Sequence, residues 1–272
     1  LAKLPRFGAG TVAKILTGIA YLRENSAYML YPRALAESEP IIAAVRAHPD
    51  VESAVLAGSL RRRNEIVRDI DIVASCPGSP ARVAETFACA PGVREAMAHG
   101  EGAVTIHFVD GGVLDLHCVA PNEFAVALWR ATGSVSHERE MHEWAASRGV
   151  SLVGDEMRSS EGAKIPLRDE HALFRALGLA YIEPELREGR GEIAAASANG
   201  LPSLIESGDI RGVLHCHSDY SDGKATIAEM AEAARALGWS YIGITDHSQS
   251  AFYAGGLKPD EVIAQHAEID GL

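Results

Sequence analysis

The sequence predicts an α+β protein: a mixed sheet with helices, a helix-rich region after it, and a final strand–helix–strand unit. Three observations carry that prediction. Between residues 50 and 120, the runs "VESAVLAGS", "DIDIVAS", "AVTIHFV" and "GVLDLHCV" are rich in β-branched residues and bounded by Gly, Pro or charge, as strands are. From Glu123 onward the apolar spacing becomes helical. Beyond residue 210, "RGVLHCHS", "TIAEMAEAARALG" and "YIGITDHS" read as strand, helix, strand, one βαβ unit that belongs to a larger parallel sheet.

In chain order, "LPRFGAGTVAKILTGI" is expected to form a tight Gly-rich turn running into a short helix near Thr11. Residues 34–47 form a helix that Pro40 should break or kink. "VESAVLAGS" is a strand whose Gly58-Ser59 end opens a helix, and "SPARVAETFACA" is a helix laid across one face of the sheet. "EFAVALWRATG" and "SHEREMHEWAASRG" are two helices, each closed by a Gly, and "DEHALFRALGL" is a third. The polar, Gly/Pro-punctuated stretch "YIEPELREGRGEIAAASANGLPSLIESGD" is expected to be loop-like, with a domain junction at 183–210.

Composition bounds the function. At 272 residues and 47% hydrophobic, the chain holds about two domains or more. No run of eighteen uninterrupted apolar residues occurs, so no membrane span is expected. The start, "LAKLPRFGAG", has neither an initiator Met nor a signal-peptide pattern and reads as a fragment begun inside a longer protein. The final unit, 211–272, is too short for a complete α/β layer and reads as cut. Cys76, Cys89, Cys118 and Cys216 form no CxxC pair, which points to reduced thiols and a cytoplasmic location. A net charge of -12 excludes a wholesale nucleic-acid coat. The charge is uneven, however. Residues 1–50 balance at +2 and residues 201–272 at -7, so nucleic-acid contact is expected on the N-terminal side and cation collection on the other.

The densest chemistry lies in "AGSLRRRNEIVRDIDIVAS". Strand side chains alternate, so Asp69 and Asp71 share one face while Ile70 and Ile72 share the other. Two carboxylates roughly 7 Å apart repel unless a cation lies between them. In "GVLDLHCV" the same alternation sets Asp115 opposite the core face of Leu114 and Leu116. If that strand lies beside the first, three hard oxygen donors converge, a set suited to Mg²⁺ or Mn²⁺ and to two-ion phosphoryl transfer. Backbone N–H groups at Gly58 and Ser59, with the Ser59 hydroxyl and Arg62, would cradle a triphosphate. Arg61 and Arg63 read equally well as solvated surface charges. At the N-terminus, the Gly8–Gly10 turn ahead of a helix, with Lys3, Arg6 and Lys14 nearby, has the form of a sequence-independent DNA-backbone contact.

"AGSLRRRNEIVRDIDIV" resembles the Gly-Ser and DxD signature of the nucleotidyltransferase palm in bacterial family X DNA polymerases. "LPRFGAGTVAKIL" is similar to the segment leading out of their fingers, "VLDLHCV" to the strand with the third palm carboxylate, and "ATGSVSHERE" to the Thr-Gly-Ser stretch of the thumb. "YIEPELREGRGEI" is similar to their linker. The resemblance implies the end of the fingers over 1–33, palm over 34–120, a small α/β thumb over 121–182, linker over 183–210, and a further partial domain over 211–272. It also implies Asp69, Asp71 and Asp115 as the catalytic metal triad. Gly58, Ser59, Arg62 and Gly133 would be nucleotide contacts, and Gly8, Gly10 and Lys14 DNA contacts. The implied activity is DNA gap filling in repair, by 3′-hydroxyl attack on a deoxynucleoside triphosphate in a monomer. Four departures are notable. Arg68 replaces a small Gly before the DxD, and Arg130 and Ala131 stand for an aromatic pair before Thr-Gly-Ser. Glu138 stands for an Asn, and His117 for an Arg beside the third Asp.

At the other end, "LHCHSDYSDG" sets His215 and His217 on one strand face, Asp222 in the turn, and His247 at the end of the next strand. Imidazoles and a carboxylate at the carboxyl ends of adjacent parallel strands suit Zn²⁺, Mn²⁺ or Fe²⁺ and hydrolytic chemistry. Asp246 either orients His247 or caps the strand, and Cys216 points to the other face. His48, His99, His142, His171 and His266 have no matching partners in the sequence. These motifs resemble the start of a PHP domain, a (β/α) barrel. The likeness implies His215, His217, Asp222 and His247 as ligands of Zn²⁺ or Mn²⁺ in a 3′-5′ exonuclease or phosphatase, with its later ligands beyond Leu272. Two other readings are a DNA-end-binding scaffold with a degenerate nucleotide pocket, and a phosphoesterase active only in the full-length protein.

Overall fold

A computed structural model of the chain describes residues 8–25 and 28–272. It divides into two compact units, residues 1–201 and 202–272. The first begins with helix α1 (Ala9–Asn25), followed by strand β1 (Met29–Leu30) and helix α2 (Tyr31–Arg46). Gly8 is exposed and its carbonyl accepts from the Val12 amide at 3.1 Å, closing the first turn of α1. The expected two-glycine turn is therefore corrected: the helix starts at Ala9, and Gly10 lies inside its first turn. There the backbone N–H needs no helical partner and the cost of Gly is small. Lys14 is exposed on α1, while Lys3 and Arg6 lie outside the described residues. Pro40 does not break α2, which runs through it, because Ala34, Ile42 and Val45 are buried on its inner side and packing outweighs one missing hydrogen bond.

The central sheet is built from β2 (Ser53–Leu56), β4 (Ile70–Ser75), β5 (Val93–Ala98), β6 (Ala103–Phe108) and β7 (Val113–Val119), in the order β2-β4-β7-β6-β5. Between β2 and β4 come the short helix α3 (Gly58–Arg61) and strand β3 (Ile66–Val67), which pairs with β1. Strand β5 carries no apolar alternation because it is an exposed edge, which is why the sequence did not reveal it. Helix α4 (Pro80–Ala88) starts at the Ser79 cap and, with α2, covers one face over Ile70, Ile72, Leu114 and Leu116. On the other face α5 (Phe124–Thr132) buries Ala127 and Leu128 against Val73 and Val119. That helix covers only the far end of the face, leaving the end with Asp71 and Asp115 open.

After α5 come α6 (Val135–Ser147), the antiparallel strands β8 (Val150–Val153), β9 (Glu156–Ser159) and β10 (Lys164–Ile165), and α7 (Glu170–Ala176). Their core gathers Trp129, Met141, Leu173, Phe174 and Ile182. The stretch expected to be loop-like from 183 is also part of this core. Helix α8 (Glu192–Ser197) inserts Ile193 and Ala196, and Arg187 is fully buried. Leu186 and Leu201 pack on the same core, and Glu192 accepts from the Gly189 and Arg190 amides, so a segment whose composition reads as solvated is folded.

The second unit holds β11 (Gly212–Cys216), α9 (Ile227–Ala236), β12 (Tyr241–Ile244) and α10 (Pro259–Asp270). Strands β11 and β12 are parallel, as the βαβ pattern implied, and α9 starts at a reciprocal Thr226–Glu229 capping box. No described helix is long and apolar enough to cross a membrane.

Candidate active site

The parallel register of β4 and β7 sets Asp71 directly against Asp115. Alternation does the rest. Ile70, Ile72, Leu114 and Leu116 are all nearly fully buried on the far face, so both acids must point to the open one, with Asp69 just before β4. Burial, then the charges of Asp69 and Asp115, push Asp71 up to about 8, against a smaller opposing pull from Arg62. Burial, then Asp115, also raises Asp69, which Arg68 partly offsets. Carboxylates whose burial and mutual repulsion outweigh the pull of nearby arginines are the electrostatic complement of a cation, and an all-oxygen donor set fits Mg²⁺ or Mn²⁺.

Gly58 opens α3 with φ +60, and a Cβ there would lie 1.7 Å from Asp71 Oδ2. The glycine lets the backbone close directly on the carboxylate. Gly58→Ala should therefore lose stability by about 1–3 kcal/mol, from left-handed strain and from displacing Asp71. Chemical denaturation will read that loss, and a variant as stable as the parent would show that the contact relaxes freely. Ser59 follows in the same turn, where its carbonyl accepts from the Asn64 amide at 3.0 Å.

The three arginines do not lie in solvent as a group. Arg61 donates from Nη1 to Thr132 Oγ1 at 2.8 Å and from Nη2 to Glu170 Oε2 at 2.5 Å. Arg62 donates from Nε to Glu188 at 2.6 Å and from Nη1 to the Thr132 carbonyl at 2.8 Å. Arg63 pairs with Glu185 at 3.0 Å but remains largely exposed. Arg62, expected to join a phosphate cradle, thus already gives one donor to Glu188 and another to the Thr132 carbonyl. Gly133 sits at the joint these arginines hold. Its φ is -67, so it is no left-handed helix stop, and a Cβ there would meet His137 Cδ2 at 2.7 Å. Its smallness serves the packing of that buried ring.

Beside the acids a cavity of about 500 Å³ is lined by Asp71, Asp115, His117, Arg130, Ala131 and Asp155. Asp155, in the tight turn between β8 and β9, lies 2.7 Å from Arg130 Nη2 and 3.2 Å from His117 Nε2. Arg130 is thus held by a carboxylate. Glu138 lies 3.6 Å from His142 along α6, and Arg68 lines a separate notch with Met29, Arg33 and Glu37. Asp155, Glu170 and Glu188 were not singled out from the sequence. No local pattern marks them, since their partners lie up to 126 positions away.

In the second unit, His217 Nδ1 lies 3.0 Å from Asp222 Oδ1, and His247 Nε2 lies 3.5 Å from Asp222 Oδ2. Among the described residues, this is the group of three whose donor atoms all fall within 4.8 Å of one another. Asp69, Asp71 and Asp115 do not form such a group. His215 is set differently from expectation. It takes φ +65 where the register of β11 shifts, and His217 falls beyond the end of the strand, so the two do not alternate on one regular face. Their rings still approach to 5.2 Å. Asp246 does not hold His247; it accepts from the Ser218 amide at 2.7 Å and from Gln265 at 2.6 Å, with Ser218 and Ser221 hydroxyls adding to it. It ties down the loop that carries His217. Mixed imidazole and carboxylate donors fit Zn²⁺ or Mn²⁺.

Residues 127–188 match the DNA polymerase beta thumb family, and residues 214–265 match the PHP domain family. The chain is 36% identical over 219 residues to the DNA polymerase/3′-5′ exonuclease PolX of Bacillus subtilis (strain 168), which covers 79% of this chain and 38% of that protein. It is 36% identical over 86 residues to DNA polymerase lambda of Rattus norvegicus, covering 28% of this chain and 15% of the relative. The chain therefore spans well under half the length of either relative.

Proposed function

The chain belongs to the bacterial family X DNA polymerases that carry a C-terminal PHP domain, and on that premise we propose that its first unit adds deoxynucleotides to a DNA 3′-hydroxyl during gap filling. The observation that carries this reading is the direct pairing of Asp71 with Asp115 on an open sheet face, closed on one side by Gly58. Asp69 and Asp71 would hold the cations, and Asp115 would face the attacking hydroxyl. Bound there, Mg²⁺ or Mn²⁺ would favour the attacking oxygen and neutralise charge on the leaving pyrophosphate. The Gly58-Ser59 turn would receive the phosphates through its backbone amides, and Gly133 would adjoin the sugar. Exposed Gly8 and Lys14, with Gly10 in the first turn of α1, would contact the DNA backbone. The fingers, palm, thumb and linker divisions at 33, 120, 182 and 210 are part of this proposal, as are action as a monomer and a cytoplasmic location.

His215, His217, Asp222 and His247 would contribute to a metal-dependent phosphoesterase site that trims DNA ends, with Zn²⁺ or Mn²⁺. A second reading, a DNA-end-binding scaffold, is favoured by one observation: Arg62 is bound to Glu188 and Arg130 to Asp155, leaving fewer free cations for a triphosphate.

Extension of a primer on gapped DNA in Mg²⁺ or Mn²⁺ separates the two. Asp115→Ala is expected to lower extension by roughly 10³-fold or more, since metal-assisted charge stabilisation is worth several kcal/mol. Extension that survives the change sinks the polymerase reading. DNA binding without metal-dependent nucleotide binding supports the scaffold.

A further inference from the structure

On the open face of the sheet, Asp115 has a second cross-strand neighbour. Strands β6 and β7 are antiparallel, and their register sets Thr105 opposite Asp115. The Thr105 hydroxyl donates to Asp115 Oδ1. A hydroxyl has one proton, so Thr105 can meet His99 Nε2, 2.9 Å away, only as an acceptor. The three groups therefore form a directed chain, His99 Nε2–H to Thr105 Oγ1–H to Asp115 Oδ1.

His99 sits at the start of a tight turn. Its amide donates to the Ala103 carbonyl at 2.8 Å, and the turn returns through Gly102 at φ +90. A Cβ on Gly102 would lie 2.3 Å from the Cys118 carbonyl, so the turn is pressed against β7 itself. His99 is exposed, and an exposed hydrogen bond of this kind adds little to folding. Its geometry, however, bears on the carboxylate. The terminal torsion of an Asp is broad and two-fold, so without a fixed donor its oxygens exchange places. With Oδ1 held by Thr105, Oδ2 is the oxygen left free of that hydrogen bond.

We propose that Thr105, backed by His99, is a positioning residue that sets the Asp115 carboxylate for cation binding. The inference rests on the reading of Asp69, Asp71 and Asp115 as a metal site and deepens it.

The test is direct Mn²⁺ titration of the full chain followed by electron paramagnetic resonance. The component at the acids is defined as the binding that Asp115→Ala loses. Thr105→Val keeps the shape and removes the donor, and is expected to weaken that component roughly tenfold or more, as loss of a ligand's outer hydrogen-bond partner does. Thr105→Ser restores the donor and should recover the parent affinity to within about twofold. His99→Phe should weaken it by up to about tenfold, the worth of one net hydrogen bond. Thermal midpoints recorded alongside should stay near the parent value. Thr105→Val binding as tightly as the parent, or Thr105→Ser binding as weakly as Thr105→Val, overturns the inference while leaving the metal site standing. If Asp115→Ala loses no Mn²⁺, the metal-site reading itself fails and takes the inference with it.

Discussion

Asp71→Asn is expected to abolish primer extension and, in the absence of metal, to make the protein more stable. The two effects have one cause. Asp71 is raised from 3.8 to about 8, first by burial and then by Asp69 and Asp115. A folded-state value above the unfolded one means that ionisation opposes folding. The penalty is absent below about pH 4, grows as the pH rises toward 8, and is complete above it. At neutral pH it amounts to a few kcal/mol in the order-of-magnitude sense. Metal-free protein in chelator should therefore lose stability from pH 4 to pH 8, and Asp71→Asn should flatten that slope and raise the midpoint. Added Mn²⁺ should stabilise the parent and have less effect on the variant, because ligand binding to the native state is linked to folding. Activity should fall by roughly 10³-fold or more as a cation ligand is lost. A flat pH profile for the parent, or an active variant, would refute this account of the acids.

Glu170→Ala is the change with the largest expected cost to the fold. Its carboxylate accepts from Arg61 at 2.5 Å and from Arg187 at 2.6 Å, and Arg187 has no solvent exposure at all. Arg187 also lies over the rings of Phe174 and Tyr181, and its Nη2 already lacks a hydrogen-bond partner. Removing the acid leaves a buried guanidinium uncompensated, a loss of about 3–5 kcal/mol. Denaturant unfolding of the full chain reads it directly. The pH response has the opposite sign to that of Asp71. Burial pushes Glu170 up, but Arg187 and Arg61 together outweigh it, and the net value is lowered. A depressed acid contributes stability above the unfolded value of 4.5 that is lost as pH falls through the folded one. Glu170→Ala should accordingly be less sensitive to mild acid than the parent. A loss below about 1 kcal/mol would mean that water reaches Arg187 and replaces the ion pair.

The two acids also mark the division between local and distant information. The sequence alone set Asp69 and Asp71 on one face, because strand alternation is a period-two property of consecutive residues; in the structure Asp69 lies just before β4. The βαβ unit and its His217–Asp222–His247 cluster were legible for a similar reason, since a short crossover makes the strands neighbours. The register shift at His215 was not, because it depends on how β11 meets β12 and leaves no mark in the residues themselves.

By itself, the sequence determined the α+β class, the strand bearing the DxD, the glycine before it and the family these motifs share, all from local spacing and residue type. Only the tertiary structure decided the use of the arginines: Arg61 turns to Glu170 and Arg62 to Glu188, each more than a hundred positions away. It likewise decided that Asp115 accepts from Thr105, which in turn meets His99. Hydrogen bonds and ion pairs act across a few ångströms of space, and the chain brings those groups together only once the sheet has closed and its register is set.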